Sequence, residues 1–285
     1  MFLNHSIGQW IELRKPACET PLWRYVYGGK PKPFFHPLAT PSGHVLSLYE
    51  PSDHVWHRGL WYAIKFINGD NFWEEKTDNP WGTQQTPVPP DVSCQPGDRI
   101  RVDSRIRWVT PQGKTLVHEK RTFVHVPLDP NMYALDFTFA LTFTEDVTLD
   151  RTPFTTWGGY GGLCLRGNRN WLKTKLLFDD NTTSDRPTPK TSKWCDLTGL
   201  IDGARDMQVG VATFDHPSNP RHPTPWYGST GPGHYYNAAF LFNEPMKLLT
   251  GQSLVQKYRV LVHDHALSCD RLNDLYSDYV NREQS

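Results

Sequence analysis

The stretch Arg99-Ile-Arg-Val-Asp-Ser-Arg-Ile-Arg-Trp108 decides the fold class. Ile100, Val102, Ile106 and Trp108 fall on one side of an extended chain, and charged residues fall on the other. The turn Thr110-Pro-Gln-Gly-Lys114 follows. Then Thr115-Leu-Val-His-Glu-Lys-Arg-Thr-Phe-Val-His-Val126 runs back, so the spacing predicts a long hairpin. Tyr133, Leu135, Phe137, Phe139, Leu141 and Phe143 next alternate with small or polar residues, which predicts a third long strand with one buried face.

Outward from this hairpin, further strands are expected over residues 43–49, 59–68, 172–178, 207–214, 236–242 and 253–263. Helical periodicity is confined to residues 266–281, where Leu267, Leu272, Leu275, Tyr276, Tyr279 and Val280 form a stripe. Residues 77–97, rich in Pro, Gln and Gly, read as one long loop. The fold class is therefore all-β: a large antiparallel β-sandwich with one C-terminal helix, in a single domain over residues 1–285.

Thirty Lys and Arg balance 30 Asp and Glu, which argues against a nucleic-acid partner because phosphate binding shows as a basic excess. The longest apolar runs, such as Asn237-Ala-Ala-Phe-Leu-Phe242, are too short for a membrane helix. No membrane partner is expected. The N-terminus lacks the basic start and apolar stretch of a signal peptide, so the expected location is cytoplasmic. Five scattered cysteines form no C-x-x-C pair and read as mostly buried free thiols. Eleven Trp, 12 Tyr and 14 Phe suit a β-rich protein with aromatic walls around a polar ligand.

Residues able to do chemistry gather in four segments: 34–43, 51–61, 157–162 and 215–228. The densest is Asp53-His-Val-Trp-His-Arg-Gly59, directly before an apolar strand. Histidine titrates near neutrality, an adjacent Asp can fix its tautomer, and Arg can stabilise a developing oxyanion. His54, His57, Arg58 and His222 are the catalytic candidates. His36, Trp61, His216, Asn219, Arg221, Trp226 and Tyr227 are the substrate-binding candidates, since Asn and Arg suit hydroxyls and Trp stacks on a sugar ring. The alternative for each loop is a turn satisfying its own backbone. Glu119 reads as a solvated or salt-bridged strand residue. Trp157-Gly-Gly-Tyr-Gly-Gly162 lacks the helix and Lys of a phosphate loop and reads as a close backbone approach or a bulge. His263-Asp-His265 would form a possible metal-ligand pair if the strand continued, but no metalloprotease-type signature exists, and neither a cofactor nor a metal is assigned.

Several motifs carry a family resemblance. Pro33-Phe-Phe-His-Pro-Leu-Ala-Thr-Pro-Ser-Gly43, Ser52-Asp-His-Val-Trp-His-Arg-Gly-Leu-Trp61 and Asn68-Gly-Asp-Asn-Phe-Trp73 are three of them. Asp215-His-Pro-x-Asn-Pro-Arg-His-Pro-Thr-x-Trp226 and Tyr258-Arg-Val-Leu-Val-His263 complete the set. Together they resemble a bacterial family labelled methane-oxygenase-related, or PmoA-like, over nearly the whole chain. The resemblance implies carbohydrate metabolism and an all-β fold similar to the large sandwiches of sugar mutarotases and polysaccharide lyases. It marks His54, His57, Arg58, His216, Asn219, His222, Trp226 and His263 as family-typical. Trp56 departs from the pattern, in which a second histidine often precedes His57, and that weighs against a histidine-cluster metal site.

The leading expectation is an enzyme acting on a small-molecule sugar or glycoside by His-based acid–base catalysis, through hydrolysis, elimination from an oxidised sugar, or epimerisation. A non-catalytic carbohydrate-binding sandwich and a metal-dependent oxygenase are the alternatives.

Overall fold

The computed structural model describes residues 1–16, 18–75, 78–152, 160–185, 189–204, 206–231 and 233–282. Two large antiparallel sheets face each other. One has nine strands, in the order Phe2–Ser6, Trp10–Arg14, Trp23–Val26, Phe34–Leu38, Leu60–Ile64, Gly161–Arg166, Tyr235–Ala238, Pro225–Ser229 and Lys190–Thr191. The ten-stranded sheet is centred on Ser253–His263, Met132–Phe143, Thr115–Asp129 and Arg99–Val109, the strands on which the alternating sequence turns. A third, four-stranded sheet is built from Met246–Leu248, Val147–Asp150, Phe66–Ile67 and Asp70–Asn71.

Alternation sorts the side chains into layers. Phe123, Leu135, Phe137, Phe139 and Val260 meet Tyr25, Phe35, Leu60, Tyr62 and Tyr236 between the two large sheets. Val126, Ala134, Phe214 and Leu261 point to the opposite side of the ten-stranded sheet. There they are covered by Leu272, Leu275, Tyr276 and Tyr279 of the helix Cys269–Arg282. This is the helix foreseen from periodicity, and it is the only one among the described residues. Glu119 is fully buried between the sheets. Its carboxylate accepts hydrogen bonds from Arg121 Nε at 2.6 Å and Trp108 Nε1 at 2.7 Å, so the salt-bridged reading holds and the solvated one does not.

Three local expectations are corrected. Residues 43–49 do not form a continuous strand; Val45, Ser47 and Tyr49 each make an isolated bridge to a different partner. Residues 78–97 are not one loop, because Thr83–Gln85 and Asp91–Gln95 both pair with the free edge of Arg99–Val109. Of the five free cysteines, Cys164 and Cys195 are buried, Cys18 and Cys269 are half-buried and Cys94 is exposed. No helix among the described residues is long and apolar enough to cross a membrane.

Candidate functional site

The outer face of the nine-stranded sheet carries the site. Along Leu60–Ile64 the side chains alternate: Leu60, Tyr62 and Ile64 enter the inter-sheet core, while Trp61 and Ala63 face outward. Phe34, Cys164, Tyr227 and Tyr235 from neighbouring strands join that outer layer, with Trp73 packed on it. Above it opens a cavity of about 540 Å³. Among the described residues, Trp56, Phe66, Trp73 and Tyr160 line it with aromatic rings, and His54, His57, Lys65, Glu74 and Thr152 line it with polar groups.

A tight turn delivers the two histidines. His57 N–H donates to His54 O at 2.9 Å, and Glu50 N–H donates to His57 O at 3.0 Å. Gly59 ends the turn with φ +67°, and a Cβ there would lie 2.2 Å from Phe35 O, so only glycine lets this turn dock on its neighbouring strand. His57 is buried and nearly parallel to two other rings: His54 at 4.7 Å and 24°, and Tyr235 at 5.2 Å and 17°.

One guanidinium serves both histidines. Arg166 Nη1 lies 3.5 Å from His57 Nδ1, and Arg166 Nη2 donates to Asp53 Oδ2 at 2.6 Å. That same Oδ2 is 3.2 Å from His54 Nδ1. Burial, then the positive charge of Arg166, push the His57 imidazole well below its usual range. Burial alone would raise the Asp53 carboxyl, but hydrogen bonding and charge from Arg166 outweigh it and hold the group at about 2.

Arg58 is placed differently from expectation. Its guanidinium is buried among Glu75, Glu50 and Tyr49 and lies over the Phe34 ring. Its charge is committed, which corrects the oxyanion role. Beside it, Lys32 pairs with Glu75 at 3.1 Å and donates to Trp73 O at 2.6 Å. Lys65, buried, pairs with Glu74 at 2.6 Å.

The candidates of the second histidine-rich segment do not join His54 and His57 at the cavity. Asp215 anchors the second segment, accepting from Asn219 Nδ2 at 2.7 Å, His222 Nδ1 at 2.8 Å and Thr224 N–H at 3.0 Å. Asn219 also donates to Lys257 O, and His216 hydrogen-bonds Ser218 while lying edge-on to Tyr279 of the helix. Arg221 is spent on the carbonyls of Phe240, Glu244 and Pro245. Among the described residues none of these lines the cavity. Trp226 is no sugar platform: it lies in strand Pro225–Ser229, points into the inter-sheet core and donates to Ser192 O at 2.8 Å. Its neighbour Tyr227 alternates outward and meets Tyr160 edge-on at 6.2 Å. Trp61 lies in the outer layer beneath His57, 5.0 Å from it. His36 stacks on Tyr49 and bonds Ser47 Oγ at 2.9 Å, outside the cavity, with its imidazole lowered by burial to about 4.

His263 and His265 form no ligand pair, because the strand ends at His263, whose Nε2 faces Asp196 Oδ1 at 3.1 Å while His265 is exposed. Among the described residues no group of three His, Cys, Asp or Glu is arranged for a metal ion. Residues 157–159 of the glycine-rich motif lie outside the described residues. At Gly162, φ is +106° and a Cβ would meet Ala238 O at 2.2 Å, the close approach foreseen there. Sequence reasoning missed Lys65, Trp73, Glu74, Tyr160 and Arg166. Lys65 had a signal: alternation through Trp61 and Ala63 places it on the same outward face.

A family model described as "Family of unknown function (DUF6807)" matches residues 17–277, and the chain belongs to that family. No curated protein matches the sequence. Among solved structures, the fold is similar to a polysaccharide lyase at 11% identity and TM-score 0.34, over 93% of this chain and 34% of that one. It is similar to a galactose mutarotase related enzyme from Lactobacillus acidophilus at 7% identity and TM-score 0.36, over 93% and 99%. It is similar to a protein described as a kojibiose phosphorylase from the human microbiome at 9% identity and TM-score 0.36, over 99% and 36%. The chain thus spans about a third of the lyase and of the phosphorylase. Likeness at this level says nothing of activity.

Proposed function

We propose that this member of a family of unknown function is an enzyme that moves protons on a sugar or sugar-derived carbonyl compound, with His54 as base and His57 as neutral hydrogen-bond donor. Kinship with the methane-oxygenase-related proteins, and the carbohydrate setting it implies, belongs to the same proposal. The observation that carries it is the opposite chemistry of the partners on the two stacked imidazoles. Asp53 Oδ2 lies 3.2 Å from the buried His54 Nδ1, outside hydrogen-bond geometry, and its negative charge favours the tautomer with the proton on Nδ1, which leaves Nε2 with a lone pair. A guanidinium only donates, so Arg166 claims the lone pair of His57 Nδ1 and leaves the proton on Nε2. A base and a donor thus stand 4.7 Å apart, ring to ring.

Such a pair suits removal of a proton from a hydroxyl, or from a carbon beside a carbonyl, with a hydrogen bond to the oxygen that gains charge. The proton passes to His54 Nε2, and the imidazolium formed is stabilised by Asp53. Delivery of a proton from solvent to the opposite face of the carbanion is epimerisation; departure of a substituent from the neighbouring carbon with its bonding electrons is elimination. Hydrolysis fits less well. Glycoside hydrolysis uses a carboxylic acid with a raised pKa, whereas Asp53 is held at about 2 and Glu74 is paired with Lys65. The aromatic walls and the cavity volume suit one sugar ring held by its apolar face.

Incubation with free hexoses, hexuronic acids and keto-sugars in deuterium oxide, followed by proton NMR, tests the reading. Deuterium entering the substrate, or an unsaturated or epimerised product, is expected and is lost in His54→Ala. Binding with neither exchange nor turnover points instead to a non-catalytic carbohydrate-binding protein.

A further inference from the structure

Phe66 belongs to two cavities at once. Besides the one above, it lines a second of about 560 Å³, together with Asn68, Gly69, Thr148, Asp150 and Arg151. Each is the size of a complete small-molecule site, about 300–1,000 Å³. Two such spaces meeting at one side chain offer room for two joined units.

The topology accounts for the arrangement. The chain leaves the nine-stranded sheet after Ile64 and enters the four-stranded sheet at Phe66–Ile67, turning back through Asn68 and Gly69, both with positive φ. Phe66 is held on both flanks, paired with Asp150 on one side and Asn71 on the other. The Lys65 ammonium lies 5.3 Å from its ring centroid, a cation–π contact that fixes the ring as a divider.

The second cavity also has open polar groups. Asp150 Oδ1 accepts from Arg151 N–H at 2.7 Å and Nη1 at 3.1 Å. Among the described residues, Asp150 Oδ2 and the Thr148 hydroxyl make no hydrogen bond within the chain. A carboxylate oxygen and a hydroxyl two residues apart on one strand, both lining the cavity, suit the hydroxyls of a sugar ring.

We infer that the substrate is a glycoside of at least two units. Its reacting unit lies in the histidine cavity, and its second unit lies across Phe66 on the four-stranded sheet. The inference rests on the acid–base sugar reading above for the identity of the first unit.

Calorimetric titration of free hexoses, hexuronic acids and their disaccharides tests it. At least one disaccharide should bind about tenfold or more tightly than either component, and the double substitution Thr148→Val, Asp150→Asn should remove most of that advantage while Tm stays near wild type. A panel in which no disaccharide outbinds its components, or an advantage that survives the double substitution, overturns the inference. Proton exchange in the same mixtures reads the acid–base step separately. A binding advantage without exchange refutes that step alone, and exchange on monosaccharides without an advantage refutes the second subsite alone.

Discussion

His57 lies flat against Tyr235, ring centroids 5.2 Å apart and planes 17° from parallel, on the outer face of the nine-stranded sheet. The contact gives this histidine two duties, one to the cavity it lines and one to the layer beneath it.

The two histidines should therefore separate by their effect on folding. His54 is half-exposed, so His54→Ala should leave Tm within about 2 °C of wild type. His57→Ala opens a hole against Tyr235 and Trp61 and should lower Tm by several degrees. Each should reduce turnover about 10²–10⁴-fold. Differential scanning fluorimetry beside the exchange assay reads both. Equal stability of the two variants would contradict the placement of His57.

Arg166 should behave as a positioning residue. Arg166→Gln removes a charge that depresses His57 and the main group that holds Asp53 at about 2, so both should titrate higher. Loss of orientation should cost turnover about 10²-fold. Histidine and carboxylate NMR titrations give a readout that a purely structural role would not move.

Acid should begin to destabilise the protein at a pH above the ordinary carboxylate range. Burial lowers His125 from 6.5 to about 4. Within that window the unfolded chain binds a proton that native His125 refuses, so stability falls as pH drops from about 6.5 to about 4. The loss from this residue approaches about 3 kcal/mol at the lower limit. Buried His36, also lowered to about 4, adds in the same direction. His125→Gln keeps an acceptor for Trp23 Nε1 and should flatten the dependence of Tm on pH in this range. An unchanged slope would count against it.

Glu119→Ala should cost about 3–5 kcal/mol, because it strands the buried Arg121 charge. Replacing both partners, Glu119→Leu with Arg121→Met, should recover most of that in urea unfolding. If the single and double variants unfold together, the pair is not coupled as the geometry requires.

Long strands were legible because one face of each is buried and period-two alternation leaves a mark over ten or more residues, as in Arg99–Val109. The N-terminal strands, such as Trp23–Val26 and Phe34–Leu38, are too short to leave that mark. Gly161–Arg166 is buried on both faces, so it has no alternation to read. At the site, His54 and His57 were legible as a dense polar cluster before an apolar strand. Arg166 was not, since it lies 109 residues from His57 and arrives only through the pairing of Gly161–Arg166 with Leu60–Ile64. Trp226 misled for a related reason. Its Pro-rich surroundings read as a loop, but it sits in a strand, where adjacent side chains part to opposite faces.

The helix that closes the ten-stranded sheet gives the molecule a front and a back. Asp274 and Asp278 face solvent on the back, with both large sheets between them and the histidine cavity. Attachment of the protein to a sensor surface through engineered groups at those two positions would present the cavity outward on every molecule, a uniform orientation that coupling through scattered lysines cannot give.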